Sequence, residues 1–137
     1  MPRLIRFGVS LEKELSHKFD AHLGRKNYAS RSEAIRDLIR QELVKEQWQE
    51  NKEIAGTITM IYDHHKRELV NKLTDIQHDF GGIIVSTQHI HLDHYNCLEI
   101  IAVRGRPRVA EELADTLKAV KWVKHVALSM SSTGRDI

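Results

Sequence analysis

The first part of the chain shows two hydrophobic periods, one after the other. Between residues 5 and 11, apolar and non-apolar residues alternate, which predicts a β-strand with one apolar face. That face carries Ile5, Phe7, Val9 and Leu11. From Leu11 to Leu23 an apolar residue recurs at every fourth position, and this spacing predicts a helix that Gly24 ends.

A second helix is predicted after a turn through Asn27. Ser30 and Glu33 have the spacing of a capping box, in which the serine side chain accepts a hydrogen bond from the backbone amide three residues later. The apolar stripe behind this start consists of Ala34, Ile35, Leu38, Ile39 and Leu43. The N-terminal part is therefore predicted to form a strand followed by two helices.

A unit of this size needs a partner. Domains below about 40 residues rarely bury enough apolar surface by themselves, and a single strand forms no sheet. The simplest arrangement is a dimer, in which two copies of the strand pair antiparallel and four helices cover their shared apolar face. Arg6, Gly8 and Ser10 then lie side by side on the outward face.

The hydrophobic patterns begin again near residue 54. We interpret residues 1–47 as one domain, the polar residues 48–53 as a linker and residues 54–137 as a second domain. The elements predicted there are a strand at 54–62, a helix at 64–80, strands at 83–92 and 97–103, a helix at 108–121 and a strand at 123–130. This order, βαββαβ, is typical of the ferredoxin-like fold, in which both helices cover one sheet face. The predicted fold class is α+β.

Both faces of the two middle strands are partly apolar. The even-numbered positions suit the helix-covered face, and they are Ile84, Ile90, Leu92, Leu98 and Ile100. The odd-numbered face also carries apolar residues, which are Ile83, Val85, Ile101 and Val103. Because one layer of helices covers only one face, we expect the second face to contact another subunit.

Composition narrows the class of protein. The chain has 137 residues, of which 41% are hydrophobic and 29% are charged. No apolar run approaches the roughly 20 residues of a membrane span, so a cytoplasmic protein is expected. The net charge of +2 is a weak indication of a nucleic-acid partner. Six of the nine histidines fall between His64 and His94, just before Cys97, the only cysteine.

Three of these side chains are predicted to converge. His89 and His91 share one face of a strand, because side chains alternate along it. If the loop 92–96 closes a symmetric hairpin, Cys97 lies opposite His91, and Glu99 lies opposite His89. Imidazole and thiolate are the donors that nickel, copper and zinc prefer. The alternative interpretation of the two histidines alone is an ordinary polar strand face.

A fourth ligand is expected, and His78 is the candidate. It lies two positions beyond the inward-facing Ile76, so it points away from the buried stripe of its helix. If the ligand face is the one that the helices leave open, His78 completes the site from a neighbouring chain. Four other histidines are interpreted as surface or rim residues, namely His17, His22, His94 and His125. His64 and His65 could equally cap the start of the following helix.

At this point two motifs resemble the nickel-responsive transcription regulator (NikR) family over nearly the whole chain. They are R-S-E-A-I-R-D in the second helix and Q-H-x10-H-x-H-x5-C-L-E in the second domain. The resemblance implies an ACT-type second domain and one square-planar Ni²⁺ per subunit of a homotetramer. His89, His91 and Cys97 would come from one subunit and His78 from another, with Glu99 behind the ligands.

The resemblance also implies a ribbon-helix-helix arm whose paired strands enter the DNA major groove. It assigns DNA contacts to Arg6, Gly8, Ser10, Lys66 and Arg67. Independently of the resemblance, Ser30 and Arg31 could contact phosphate through the free backbone amides at the start of the second helix. The family pattern more usually has a hydroxyl residue at the position of Gly8, which has no side chain to contact a base. Glu33 and Asp37 resemble a secondary cation site.

The function expected from this resemblance is nickel-dependent repression of nickel uptake, at an operator of two half-sites. Nickel at an intersubunit site would favour operator binding allosterically. Three alternatives remain open from the residues: a regulator that senses a small molecule through its ACT-like domain, a nickel storage protein, and a zinc enzyme with Glu99 as base. A DNA-binding arm has no purpose in that enzyme, so no enzymatic activity is expected.

Overall fold

The computed structural model describes residues 2–137, so Met1 of the predicted N-terminal domain lies outside the described residues. The elements are α1 (Lys13–Arg25), α2 (Arg31–Gln49), β1 (Ile54–Tyr62), α3 (Arg67–Asp79), β2 (Ile84–His91), β3 (Cys97–Gly105), α4 (Pro107–Lys118) and β4 (His125–Met130). The chain divides into a first unit that ends at Arg40 and a second unit, Gln41–Ile137. No helix of the described part is long and apolar enough to cross a membrane.

The first unit has its two predicted helices, joined by a bidentate ion pair. The guanidinium of Arg31, at the start of α2, donates to both carboxylate oxygens of Asp20 in α1, at 2.9 and 2.7 Å. The Ser30 hydroxyl accepts a hydrogen bond from the amide of Glu33 at 3.2 Å, as the capping box predicts. Both ends of the connection between the helices are thereby fixed by side chains.

Much of the apolar surface of the first unit is exposed. Residues 2–12 carry no helix or strand, and Phe7 is 67% exposed. On α2, Ala34 is buried, but Leu38 and Ile39 are each 48% exposed. A strand obtains its backbone hydrogen bonds from a neighbouring strand, so the predicted strand at 5–11 requires a second copy. The exposed apolar residues fit that dimer prediction.

The second unit has the predicted βαββαβ topology. Its four strands lie in the order β2-β3-β1-β4, and every neighbouring pair is antiparallel. Alternate residues of β1 are buried from Ile54 to Tyr62, and they share one core with Leu73 of α3 and Leu117 of α4. Both helices therefore cover the same face of the sheet. The predicted α+β, ferredoxin-like arrangement is confirmed.

The predicted assignment of the sheet faces was wrong. Ile101 and Val103, on odd-numbered positions, lie in the core, whereas the even-numbered positions of the middle strands are only half-buried or exposed, namely Ile84, Ile90, Leu92, Leu98 and Ile100. Because both faces are apolar, alternation alone cannot choose between them. The choice follows from the pairing of Ile101 with Ile58, whose side of β1 faces the helices.

The end of α2, from Gln41 onward, belongs to the second unit, and Trp48 lies in the core of that unit. Its ring is buried among core residues, and its indole N–H donates to the carbonyl of Ser131 at 2.8 Å. Trp48 was predicted to lie in a polar linker. The division into domains at 47 and 53 stays a prediction, since α2 continues without a break to Gln49.

Gly56 provides the space for this packing, and its replacement gives a direct test. A Cβ atom at Gly56 would lie 2.7 Å from the Ser129 carbonyl oxygen and 3.3 Å from the Trp48 ring. We expect Gly56→Ala to lower the free energy of unfolding by about 1–3 kcal/mol, because backbone and ring must both move. Urea unfolding followed by Trp fluorescence measures this loss. Gly82→Ala is the matched control, because a Cβ there has no atom within 4 Å; equal losses would contradict the packing argument.

Candidate metal centre

The hairpin of β2 and β3 has the predicted register. His91 is paired with Cys97, and His89 is paired with Glu99. The connecting loop is held by two backbone amides, those of Leu92 and Asp93, which both donate to the carbonyl of Asn96 at 3.1 Å. The predicted pairing of His91 with Cys97 and of His89 with Glu99 is confirmed.

Cys97 is fully buried at the start of β3, next to the end of β1. Its thiol donates a hydrogen bond to the carbonyl of Tyr62 at 3.1 Å. Burial raises the pKa of the Cys97 thiol above its usual value. The thiol therefore keeps its proton at neutral pH unless a cation takes the proton's place.

Two further contacts fix the side chains beside the thiol. The Tyr62 hydroxyl and Nδ1 of His89 lie 3.4 Å apart, with the two rings edge to face. Gln77, from the last turn of α3, donates to a carboxylate oxygen of Glu99 at 2.7 Å. The end of α3 is thus attached to the same part of the hairpin that carries His89.

His64 was missed by the sequence analysis, which treated it as a helix cap. The structure instead places its ring 5.2 Å from that of His91, and one ligand atom from each of His64, His89 and Cys97 lies within 4.8 Å of the others. The residue that caps α3 is Lys66, which forms no side-chain cap hydrogen bond. His64 could have been found only from the pairing of Tyr62 with Cys97, which the sequence pattern does not predict.

The ring of His64 has a buried nitrogen, Nδ1, without a hydrogen-bond partner among the described residues. Burial lowers the pKa of His64, so its ring is neutral and keeps a lone pair available. A neutral imidazole and a thiol at this spacing are suitable donors for a borderline metal such as nickel. The residues present therefore fit the metal that the sequence motif indicates.

The other two predicted ligands stand apart from this compact group. His91 contacts the His64 ring but does not belong to the group of three. His78 is exposed in the last turn of α3 and belongs to neither group of candidate ligands in the described part of the chain. The argument that the ligand face is the uncovered one was wrong, because Cys97 lies on the helix-covered side with Ile101.

A second group of potential ligands lies beside the first. It consists of Asp63, His64 and His65. The Asp63 carboxylate accepts from the backbone amide of His65 at 3.0 Å and lies 2.9 Å from Nδ1 of the same residue. The backbone hydrogen bond is the main reason that the pKa of Asp63 is lowered. Asp63 therefore orients His65 at the rim of the centre.

The predicted DNA-contact residues are exposed. Arg6, Gly8 and Ser10 lie in the segment before α1, whereas Ser30 and Arg31 begin α2 and are engaged with Glu33 and Asp20. The remaining two, Lys66 and Arg67, begin α3 in the second unit.

The predicted secondary cation site lies along one side of α2. Glu33 and Asp37 line a shallow pocket together with Tyr28, Arg36 and Arg40. The Tyr28 hydroxyl donates to the Asp37 carboxylate, and this bond raises the pKa of Tyr28. A cation there competes with two guanidinium groups, so the assignment stays a prediction.

Comparisons with known proteins cover both halves of the chain. A family model described as the NikR C-terminal nickel-binding domain matches residues 55–131, and a model of ribbon-helix-helix proteins of the copG family matches residues 5–46. A solved structure of an uncharacterized protein from Thermotoga maritima covers 56% of this chain with a TM-score of 0.51. At 10% identity that likeness concerns the fold alone.

Curated relatives match from end to end. The chain is 58% identical to a protein of Syntrophus aciditrophicus over 98% of both chains, and 60% identical to one of Chlorobium limicola over 98% of this chain and 100% of the other. A protein of Nitratidesulfovibrio vulgaris is 51% identical over 100% of this chain and 99% of its own. All three carry the name "Putative nickel-responsive regulator". Because both domain models and full-length relatives agree, this chain belongs to the family of nickel-responsive regulators, which are DNA-binding transcription regulators and not enzymes.

Proposed function

We propose that the chain is a cytoplasmic, nickel-dependent repressor of nickel uptake, assembled as a homotetramer with metal sites between subunits. The observation that carries this proposal is the paired register of His91 with Cys97 and of His89 with Glu99. It supports one Ni²⁺ per subunit, held by His89, His91 and Cys97 of one chain and by His78 of another. Nickel would supply a divalent charge that replaces the thiol proton and joins two chains.

The position of His78 supports the intersubunit arrangement. His78 is exposed at the end of α3, whereas its neighbour Gln77 is held against Glu99 of its own hairpin. Side chains of successive helical residues point about 100° apart, so Gln77 and His78 cannot both face that hairpin closely. His78 is left to reach a neighbouring subunit, and Glu99 keeps the end of α3 in place behind the ligands.

The coupling to DNA is proposed to start at the thiol. Loss of the Cys97 proton breaks its hydrogen bond to the Tyr62 carbonyl, at the point where β1 leads into residues 63–66. This short connection carries His64 and ends at Lys66, directly before Arg67, the first residue of α3. A change in structure at Cys97 would therefore be transmitted through a few residues to two proposed phosphate contacts. This connection is a physical route by which metal binding and DNA binding would affect each other's affinity.

The DNA-binding arm is proposed to act as a dimer. Pairing of residues 5–11 between two chains would cover exposed apolar side chains and leave Arg6, Gly8 and Ser10 facing the major groove. Ser30 and Arg31 would contact phosphate at the start of α2. Two such ribbons in one tetramer would read an operator with two half-sites.

Substitution of His78 tests the intersubunit site. We expect the native chain to bind one nickel per subunit with a thiolate-to-metal absorption band, and His78→Ala to lose at least about tenfold in affinity because one ligand is removed. His125→Ala, a change of another exposed histidine, is the control. Unaltered titration of His78→Ala would exclude that ligand.

Mixed tetramers make this test sharper. His78→Ala removes the ligand that the neighbouring chain is proposed to supply, and His89→Ala removes a ligand from the hairpin. Co-expressed in equal amounts, they should recover about one quarter of the native nickel sites, because half of the hairpins are intact and half of their neighbours supply His78. A site built within one chain would recover none, and this result would contradict the proposed arrangement.

Nickel affinity should depend steeply on pH. Burial raises the pKa of the Cys97 thiol, so metal binding displaces its proton, and the histidine ligands must also be neutral. We expect affinity to fall continuously from about pH 8 to about pH 5.5, roughly tenfold per pH unit for each proton displaced. Competition against a nickel chelator of known affinity at each pH measures this dependence. A constant affinity across the range would rule out displacement of these protons.

Linkage between metal and DNA tests the regulatory function. A duplex selected from a random pool by the nickel-loaded protein should bind more tightly with nickel than without it. The same duplex should raise nickel affinity by an equal factor, because coupling free energy is reciprocal. Fluorescence anisotropy and nickel titration give the two factors. Tight nickel binding without any change in DNA affinity would indicate a storage protein.

A further inference from the structure

Trp122, in the loop between α4 and β4, has two unfavourable properties. Its backbone φ is 80°, a left-handed conformation that crowds any residue with a Cβ atom. Trp122 is also 56% exposed, so burial does not compensate for that conformation. A large aromatic residue at such a position suggests a role for the ring itself.

Two ammonium groups lie over this ring. Nζ of Lys66 is 3.6 Å from the ring centroid, and Nζ of Lys121 is 4.9 Å from it. The negative face of an indole attracts cations, but two cations on one ring repel each other. We call Trp122 together with Lys66 and Lys121 the Trp122 platform.

The positive charge of the platform is uncompensated. None of the ion pairs formed within residues 2–137 includes Lys66, Lys121 or the adjacent Arg67. Asp63, three residues before Lys66, has its carboxylate engaged by His65. Glu68, two residues after Lys66, is exposed and takes part in none of those ion pairs. Two ammonium groups that share one ring and form no ion pair within the described residues are suited to an anionic partner with closely spaced charges.

Lys66 is already one of the proposed DNA contacts. We propose that Trp122 is the positioning residue that holds Lys66 toward the DNA backbone, and that the Trp122 platform adds Lys121 as a further phosphate contact. The inference rests on the proposed function, since it presumes an operator. Lysine is a point charge without the planar geometry that reads a base edge, so the platform adds affinity without sequence preference. A flexible lysine loses side-chain freedom when it binds phosphate, and the ring removes part of that freedom beforehand.

The platform also lies close to the metal centre along the chain. Lys66 is two residues from His64, whose ring is among the candidate ligands. The short segment between them is attached to the indole ring at one end and to the histidine cluster at the other. Trp122 thus fixes the DNA-facing end of the segment that the thiol is proposed to move.

Trp122→Gly separates the role of the ring from a role in folding. Glycine adopts φ of 80° without strain, so this variant should unfold at the same temperature as the native protein or a higher one, and should bind nickel equally well. Its affinity for the selected duplex should fall roughly fivefold, from loss of the cation–π contacts. Trp122→Phe keeps a ring and should lose less.

The dependence of DNA affinity on salt concentration measures how many phosphate contacts the protein makes. With nickel-loaded protein and the selected duplex between about 0.05 M and about 0.3 M NaCl, Lys121→Ala should reduce the slope of log affinity against log salt by about 0.9. Lys118→Ala is the matched control, because it removes an equal charge from α4 outside the platform, and its slope should equal the native one.

The outcomes distinguish the two proposals. If the nickel-loaded native chain selects no duplex, the regulatory function and the platform both fail. If native protein binds its duplex and Trp122→Gly binds it with the same affinity and salt slope, the platform alone is overturned. It is also overturned if Trp122→Gly loses DNA affinity only together with nickel affinity or thermal stability, since that result would indicate a structural role.

Discussion

The register of three adjacent strands determines where the candidate ligands lie. β3 runs between β1 and β2, so that its first residue, Cys97, is paired with Tyr62 on one side and with His91 on the other. A slip of one residue in either pairing would turn ligand side chains to the opposite sheet face. The buried pair of Ile58 and Ile101, farther along β1 and β3, opposes such a slip. The chemistry of the centre therefore depends on apolar packing several residues away.

The two units differ in what holds them together. The second unit has a continuous core that joins its sheet to α3 and α4 and includes the ring of Trp48. In the described part of the first unit, by contrast, only Ala34 is buried. The stability of the arm is therefore expected to depend on association, and with it on protein concentration. Under the proposed pairing of two arms, the DNA-reading surface forms only on association.

Local patterns predicted much of the fold and part of the candidate centre. The hairpin of His91 and Cys97 was predictable because a short symmetric loop fixes the pairing of its strands. The sheet faces were not, because both carry apolar residues and only pairing with β1 decides between them. The place of His64 in the candidate centre was not predicted for the same reason, since its approach to Cys97 depends on contacts between residues distant in sequence. The left-handed backbone of Trp122 could not be predicted from the sequence, because that conformation is expected at glycine or asparagine.

The hydrogen bond between Cys97 and the Tyr62 carbonyl has a consequence for chemical durability. Oxidants attack the thiolate far faster than the thiol. Burial and the raised pKa keep this side chain protonated and shielded while no cation is bound. The candidate metal ligand is thereby protected from irreversible sulfur oxidation before a cation binds. The burial and the hydrogen bond that would make a metal compete with a proton at Cys97 thus also preserve this candidate ligand.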